Sequence, residues 1–216
     1  MVKVAIVDYH MGNMFSLQSI CSYIGLNSAV TFDRNQITDS DAVILPGVGA
    51  FGEAMNNIAE LGLLQTLKDF AASGRPFMGI CLGLQLLFTE SEEFGIYKGL
   101  DIIKGRVLKF PAKNTEGTKI KVPCVGWNRV YRNTDSDECM GSPLKAIKDG
   151  EFMYFVHSYY VSPSDANDVI SFSCYEGIKY CSAIRKGNIF AMQFHPEKSA
   201  KNGVDIFSNW ADKIKK

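Results

Sequence analysis

The chain has 216 residues, with 23 lysines and arginines against 23 aspartates and glutamates, and 46% of its residues are hydrophobic. This length and composition predict one domain with a full core, spanning residues 1–216, and the zero net charge disfavours binding to nucleic acid or to a membrane surface. The sequence contains no apolar run long enough to span a bilayer and no signal-peptide core, which predicts a cytoplasmic protein.

The first half of the chain alternates buried strands with amphipathic helices. Strands are predicted at 2–9, 29–32, 41–45 and 77–80, and helices at 16–25, at 51–73 in two pieces divided near residue 62, and at 82–90. Such alternation predicts a parallel sheet with helices on both faces, because each crossover helix must cover a face of the sheet.

The second half is rich in strands and turns. Strand-like runs cover 105–110, 119–131, 151–162, 169–175, 179–186 and 188–194, and a final amphipathic helix covers about 203–214. Glu176-Gly177 and Lys186-Gly187-Asn188 are typical of hairpin turns. We therefore predict a single α/β domain with a mostly parallel central sheet, helices on both faces, and antiparallel hairpins in its C-terminal half.

The cysteines are not spaced as a disulfide framework or a metal site. The chain has six of them and only three histidines, and no two cysteines form a C-x-x-C pair. We predict reduced thiols, no metal and no cofactor. Most of these cysteines are expected to be small core residues, and Cys81 is the exception.

Cys81 stands between a predicted strand and a predicted helix, with Gly79 and Gly83 on either side. Small residues two positions away allow a sharp, strained turn, as in the G-x-S-x-G nucleophile motif. A helix N-terminus there favours a thiolate and offers free N–H groups to an oxyanion. A buried cysteine in a glycine-rich turn would give the same pattern, so G-x-C-x-G alone leaves a structural role equally open.

The last predicted strand ends in a histidine, His195, followed two residues later by Glu197. On an extended segment these two residues face the same side, so Glu197 is expected to orient His195. A lone histidine at a strand end is usually a hydrogen-bonded surface residue. Together with Cys81, however, the pair indicates a general base and acid, and a Cys-His-Glu triad suits acyl transfer through a thioester.

A glycine-rich segment at 45–51, with the sequence LPGVGAF, follows another predicted strand. Its backbone can approach a ligand closely, and the N–H groups of Val48 and Leu82 are our candidates for an oxyanion hole. The alternative is a plain turn between strand and helix. The segment lacks the G-x-x-x-x-G-K sequence of a phosphate loop, so nucleotide binding is not predicted.

These segments resemble a class I glutamine amidotransferase and, within that family, the glutaminase subunit of imidazole glycerol phosphate synthase. The resemblance covers essentially the whole chain and is carried by GNMFS at 12–16, LPGVGAF at 45–51, GICLGLQ at 79–85, VPCVGWN at 122–128, YFVHSYY at 154–160 and QFHPEKS at 193–199. The cysteine and HPE segments are specific to the superfamily, while the GWN and HSYY segments point to the narrower branch.

The resemblance implies that Cys81 attacks the side-chain amide of glutamine, and that His195, oriented by Glu197, protonates the departing ammonia and then activates water. The residues implied to hold the amino and carboxylate groups of glutamine are Gly49, Gln85, His157, Ser158 and Tyr159. From spacing alone, His157 would be interpreted as a packed strand residue.

The resemblance also implies a heterodimer with a (β/α)8-barrel synthase, the cyclase subunit of histidine biosynthesis, which receives the ammonia. Asn13, Trp127 and Lys198 match positions that face the barrel. A further implication is an oxyanion loop at 46–49 that stays unproductive until the partner binds its substrate.

Two departures from the family pattern leave the partner open. Cys124-Val125 replace a usual His-Met, and His10 replaces a usual glycine, both near the implied partner surface. One alternative is a glutaminase that supplies a sugar amidotransferase in surface-polysaccharide or flagellar-sugar biosynthesis. The other is a stand-alone γ-glutamyl hydrolase.

Overall fold

A computed structural model describes residues 2–134 and 141–214, and Cys139 lies outside these ranges. The strands are β1 Lys3–Val7, β2 Asn27–Thr31, β3 Ala42–Leu45, β4 Phe77–Ile80, β5 Phe88–Ser91, β6 Tyr97–Lys98, β7 Ile103–Lys109, β8 Cys124–Arg132, β9 Glu151–His157, β10 Tyr159–Pro163, β11 Val169–Tyr175, β12 Ile178–Lys186 and β13 Ile189–Met192. The helices are α1 Met14–Tyr23, α2 Arg34–Thr38, α3 Phe51–Glu60, α4 Leu64–Ala72, α5 Leu82–Leu86 and α6 Ala200–Ile214, with short 3-10 turns at Pro143–Ala146, Ala166–Asp168 and Pro196–Lys198.

The strands form one mixed sheet whose main path runs β2-β1-β3-β4-β13-β12-β10-β7-β5-β6. The first five strands of this path are parallel neighbours. From β13 onward the pairs β13–β12, β12–β10 and β10–β7 are antiparallel, and β11, β8 and β9 branch from β12. The prediction of a mostly parallel central sheet with antiparallel hairpins is confirmed.

Helices cover both faces of the parallel strands, as predicted. One face packs against α1 and α6, where Leu17 and Trp210 are buried, and the other packs against α3 and α4, where Phe51 and Phe70 are buried. Strands β3 and β4 are buried at every residue, because both of their faces are covered. Within the described ranges, no helix is long and apolar enough to cross a membrane.

The strand predicted at 119–131 begins only at Cys124, and α2 and β6 were not predicted. Two other predicted elements differ in kind or number from the structure. The helix predicted at 82–90 ends at Leu86, and β5 begins at Phe88, because the carbonyl groups of Leu86, Leu87 and Phe88 accept hydrogen bonds from the segment at 100–103 and not from the next helical turn. The run predicted as one strand at 151–162 is two strands, β9 and β10, divided at Ser158. The residues at that division, 157–159, line the cavity described below.

Candidate active site

Cys81 lies on a strained turn between β4 and α5. Its backbone has φ 55° and ψ −109°, a left-handed conformation that non-glycine residues rarely adopt. The neighbouring chain is too close for side chains at the flanking glycines, because a Cβ on Gly83 would lie 1.8 Å from the carbonyl oxygen of Leu45 and one on Gly79 would lie 2.9 Å from the Cβ of Ala191. The glycines are therefore what allows the sulfur to be presented on this turn.

His195 is brought to Cys81 by strand pairing, since β13 runs parallel to β4 and the Cys81 amide donates to the carbonyl oxygen of Met192 over 2.8 Å. His195 Nδ1 and Glu197 Oε1 are 2.8 Å apart, and both side chains are 2% exposed. The predicted reason for this contact was wrong, because Glu197 lies in a 3-10 turn that begins at Pro196 and not on an extended segment. A Cβ on Gly203 of α6 would come within 1.7 Å of the Pro196 carbonyl oxygen, so the turn rests directly on the helix backbone.

The charges around His195 favour its protonated form. Burial alone would lower the pKa of His195, but the Cys81 thiolate and the Glu197 carboxylate outweigh it and raise the pKa to about 10. Because Nδ1 is bonded to Glu197, Nε2 is the ring nitrogen left to exchange a proton with Cys81. The arrangement suits a cysteine nucleophile that is paired with a histidine acid and base.

A cavity of about 310 Å³ opens beside Cys81. It is lined by the predicted nucleophile, both predicted oxyanion donors and all five predicted substrate-binding residues. These eight residues are Val48, Gly49, Cys81, Leu82, Gln85, His157, Ser158 and Tyr159. Glu93, Pro123 and Val156 also line it and were not predicted. Of these three, Glu93 is the residue with a carboxylate. Glu93 Oε2 accepts a hydrogen bond from the backbone N–H of Phe51 over 2.6 Å, and burial raises the pKa of Glu93.

The two proposed oxyanion donors occupy different elements. Leu82 is the first residue of α5, where an N–H group has no acceptor within its own helix. Val48 lies in the loop between β3 and α3, 40% exposed, next to Gly49 with φ 103°. This loop is anchored by Tyr9, which the sequence did not indicate: its hydroxyl donates to the Pro46 carbonyl oxygen over 2.7 Å.

Burial keeps His157 as a neutral ring, and one backbone carbonyl fixes the orientation of that ring. Its Nδ1 lies 2.8 Å from the Tyr159 carbonyl oxygen, which can only accept, so Nδ1 carries the proton. The ring is packed among Phe110, Phe155 and Tyr180. Burial lowers the pKa of His157 to about 4, although the Tyr159 bond opposes this shift.

Folding stability is therefore expected to fall as the pH drops from 6.5 to about 4. In this window the unfolded chain takes up a proton at residue 157 and the folded protein does not, which costs up to about 3 kcal/mol of stability. We expect His157→Phe, which keeps an aromatic ring among aromatic neighbours, to flatten this dependence when urea unfolding is measured at pH 7 and pH 4.5. His195 does not confuse the comparison, because its raised pKa gives stability that is lost only above pH 6.5. An unchanged slope in the variant would show that His157 is not the group that titrates.

The predicted partner-facing residues fall into two groups. Trp127 is 53% exposed and packs edge-on against Tyr154, with ring centres 6.1 Å apart, while Lys198 Nζ lies 5.8 Å from the centre of the same ring. Asn13 instead caps α1, where its side-chain oxygen accepts the Ser16 amide. Tyr154, which was not among the predicted interface residues, thus connects Trp127 and Lys198 on the surface next to the His195 turn.

Comparisons with known proteins place this geometry in context. The family described as "Glutamine amidotransferase class-I" matches residues 5–214. The chain is 43% identical over 213 residues to the imidazole glycerol phosphate synthase subunit HisH of Geobacter sulfurreducens, covering 98% of this chain and 99% of the relative. It is 44% identical over 211 residues to HisH of Syntrophotalea carbinolica, covering 97% and 99%. The solved structure of PurLQS from Thermotoga maritima shares the fold, with a TM-score of 0.71 at 19% identity over 99% of both chains.

Proposed function

This chain belongs to the class I glutamine amidotransferase family, and on that basis we propose that it is the glutaminase subunit of imidazole glycerol phosphate synthase in histidine biosynthesis. We further propose that Cys81, His195 and Glu197 are its catalytic residues. The observation that carries the chemistry is a cysteine on a strained turn, open to a cavity, beside a buried His–Glu pair joined over 2.8 Å.

In the first half of the reaction, the Cys81 thiolate attacks the side-chain carbonyl carbon of glutamine. A C–S bond forms, and the carbonyl electron pair moves to an oxyanion that the Val48 and Leu82 N–H groups stabilise. Collapse of this intermediate breaks the C–N bond as His195 transfers its Nε2 proton to the departing nitrogen, so that ammonia leaves. The product is a γ-glutamyl thioester on Cys81.

In the second half, neutral His195 takes a proton from water as the water oxygen attacks the thioester carbon. The same N–H groups stabilise the second oxyanion, and the C–S bond breaks to return the thiolate and release glutamate. Glu197 accepts the Nδ1 proton in a hydrogen bond throughout, which keeps Nε2 directed at the reaction and stabilises each imidazolium state.

The polar groups of the cavity fit the amino-acid end of glutamine. Both N–H bonds of the Gln85 amide are used, on the carbonyl oxygen of Tyr159 and on Gln193 Oε1, so Oε1 is the Gln85 atom left to meet a ligand. An oxygen acceptor suits the α-ammonium group and not the carboxylate, and the carboxylate of Glu93 adds the matching charge. We therefore assign Gln85 and Glu93 to the α-ammonium group, and Gly49 with the 157–159 segment to the carboxylate side.

The ammonia produced is useful only if it is delivered before it is protonated in water. We propose that the chain docks on the cyclase subunit as a heterodimer, with the barrel facing the surface formed by Trp127, Tyr154 and Lys198. Asn13 at the start of α1 is part of the same proposal. A cytoplasmic location remains a prediction from the sequence.

The test is to assay glutamine hydrolysis by this chain alone and with the cyclase subunit from the same cell and its substrate. We expect little activity alone and a rise of about a hundredfold in the complex, near the upper range of coupling between sites. Full activity alone, extended to γ-glutamyl peptides, would instead identify a stand-alone hydrolase. Activation only by a sugar-modifying synthase would identify the other alternative.

A further inference from the structure

Gln193 is a buried polar residue that the proposed mechanism does not use. Its side chain is fully buried, and its Nε2 donates to the sulfur of Cys81 over 3.5 Å while its Oε1 accepts from Gln85 over 2.9 Å. We propose that Gln193 is a positioning residue that holds the Cys81 sulfur through this N–H···S hydrogen bond and favours its thiolate form. The proposal rests on the proposed function and adds a residue to that same site.

The direction of these hydrogen bonds is fixed from one end by a backbone carbonyl. The Tyr159 carbonyl oxygen can only accept, so the Gln85 atom facing it over 3.1 Å is the NH2 group. The same NH2 group reaches Gln193, whose facing atom must be its oxygen. The NH2 group of Gln193 is therefore the end that faces the sulfur, and a flipped amide would place oxygen against the thiolate.

Strand pairing holds Gln193 in place. Met192, the residue before it, pairs with Ile80, the residue before Cys81, so Gln193 and Cys81 follow as neighbours at the ends of β13 and β4. The backbone N–H of Gln193 donates to the carbonyl oxygen of Ser182 over 2.9 Å, which connects the residue to β12 as well. Full burial and the hydrogen bond from Gln85 then leave the side chain little freedom to move away from the sulfur.

The titratable side chains that face the Cys81 sulfur are His195 and Tyr9. The hydrogen bonds from Gln193 and to Val156 respond differently when the sulfur ionises. As a thiol, Cys81 also donates to the Val156 carbonyl oxygen over a long 3.8 Å contact, and the thiolate has no proton to donate there. The bond from Gln193 is kept in both states and becomes stronger when its acceptor is charged. Losing the Gln193 donor should therefore reduce the fraction of thiolate.

The test measures alkylation of Cys81 by iodoacetamide as a function of pH in the full chain, followed by mass spectrometry of the Cys81 peptide. In Gln193→Met, which keeps the length of the side chain without a donor, we expect the pH of half-maximal rate to rise by about one unit, equivalent to about tenfold less thiolate below the midpoint. In the complex, kcat for glutamine should fall about tenfold while KM changes less than about twofold.

Two further variants make the result decisive. Gln193→Glu keeps the acceptor for Gln85 and removes the donor, so it should raise the midpoint at least as far, and it serves if Gln193→Met does not fold. Gln65→Met, on the exposed face of α4, is the matched control and should leave the profile unchanged. Wild-type alkylation profiles in folded Gln193 variants would overturn the proposal. Because this readout needs neither glutamine nor the cyclase, an inactive wild-type complex would instead count against the proposed function.

Discussion

Replacing Cys81 by serine is expected to slow glutamine hydrolysis by the complex at least about a thousandfold. Serine is similar in size, so the turn supported by Gly79 and Gly83 should keep its shape. A serine hydroxyl, however, stays protonated where the thiolate–imidazolium pair exists, so no ready nucleophile faces the cavity. The measurement is glutamate release in the presence of the cyclase subunit and its substrate.

The same variant should keep every step that does not need the nucleophile. Binding to the cyclase and synthesis from added ammonium salts are expected at wild-type levels, since Cys81 lies in the cavity and not on the exposed surface around Trp127. Cys174→Ser, at an exposed cysteine, is the matched control and should retain full hydrolysis. Glutamate release by Cys81→Ser at the wild-type rate would refute the assignment of the nucleophile.

Chemical labelling gives an independent view of this prediction, because the other buried thiols are poor nucleophiles. Burial raises the pKa of Cys21 and of Cys124 to about 11, and it raises the pKa of Cys181 further. An electrophilic glutamine analogue should therefore modify Cys81 and leave these three cysteines unlabelled.

The central fold was predictable because its signals are local. Buried strands separated by amphipathic helices gave the parallel part of the sheet, and the glycine at residue 62 correctly divided α3 from α4. The failure at 82–90 has the opposite cause. Residues 82–88 are buried on every side, so they show no period to distinguish helix from strand, and distant backbone groups at 100–103 decide where the helix ends.

Within the site, the sequence identified residues in recognisable motifs and missed those that tertiary packing supplies. Gln193 stands in the QFHPEKS segment, just after β13 and two residues before His195, so its place in that motif could have indicated it. Glu93 follows other acidic residues in a segment without a motif, and only its place in the cavity wall distinguishes it. Tyr9 needs knowledge that β1 and β3 are neighbours before its bond to Pro46 can be expected.

The departure at residue 10 has a local explanation. His10 has φ 69°, in the left-handed region where glycine is the favoured residue, and its amide donates to Asp8 Oδ1 over 2.8 Å. The turn that a glycine would form is thus kept with a histidine. The other departure, at 124–125, involves one buried and one exposed residue, since Cys124 is buried and Val125 is 57% exposed. Of the two, only Val125 therefore changes the surface that a partner would contact.

Glu197→Gln is expected to lower kcat for glutamine about a hundredfold while keeping the fold of the site. The amide has the shape of the carboxylate, but it has lost the charge that stabilises the His195 imidazolium, and it can turn its NH2 group toward Nδ1 and select the wrong tautomer. In serine proteases, the loss of the charge of the buried aspartate in the same role lowers kcat still more, about ten-thousandfold. Because a cysteine thiolate is a stronger nucleophile than a serine hydroxyl, we expect this chain to depend less on the carboxylate.

The pH profile separates this role from a merely structural one. Glu197 is among the groups that raise the pKa of His195 to about 10, so its neutralisation must lower that pKa. Departure of ammonia needs the imidazolium, and activity in Glu197→Gln should therefore be lost at lower pH than in the wild type when kcat of the complex is followed from pH 6 to 10. Glu93→Gln is the matched control, because it neutralises another carboxylate at the site. It should raise KM for glutamine without changing the pH at which kcat is lost on the basic side. If the basic limb of Glu197→Gln coincides with that of the wild type, the carboxylate does not act on His195, and the triad reduces to a cysteine and a histidine.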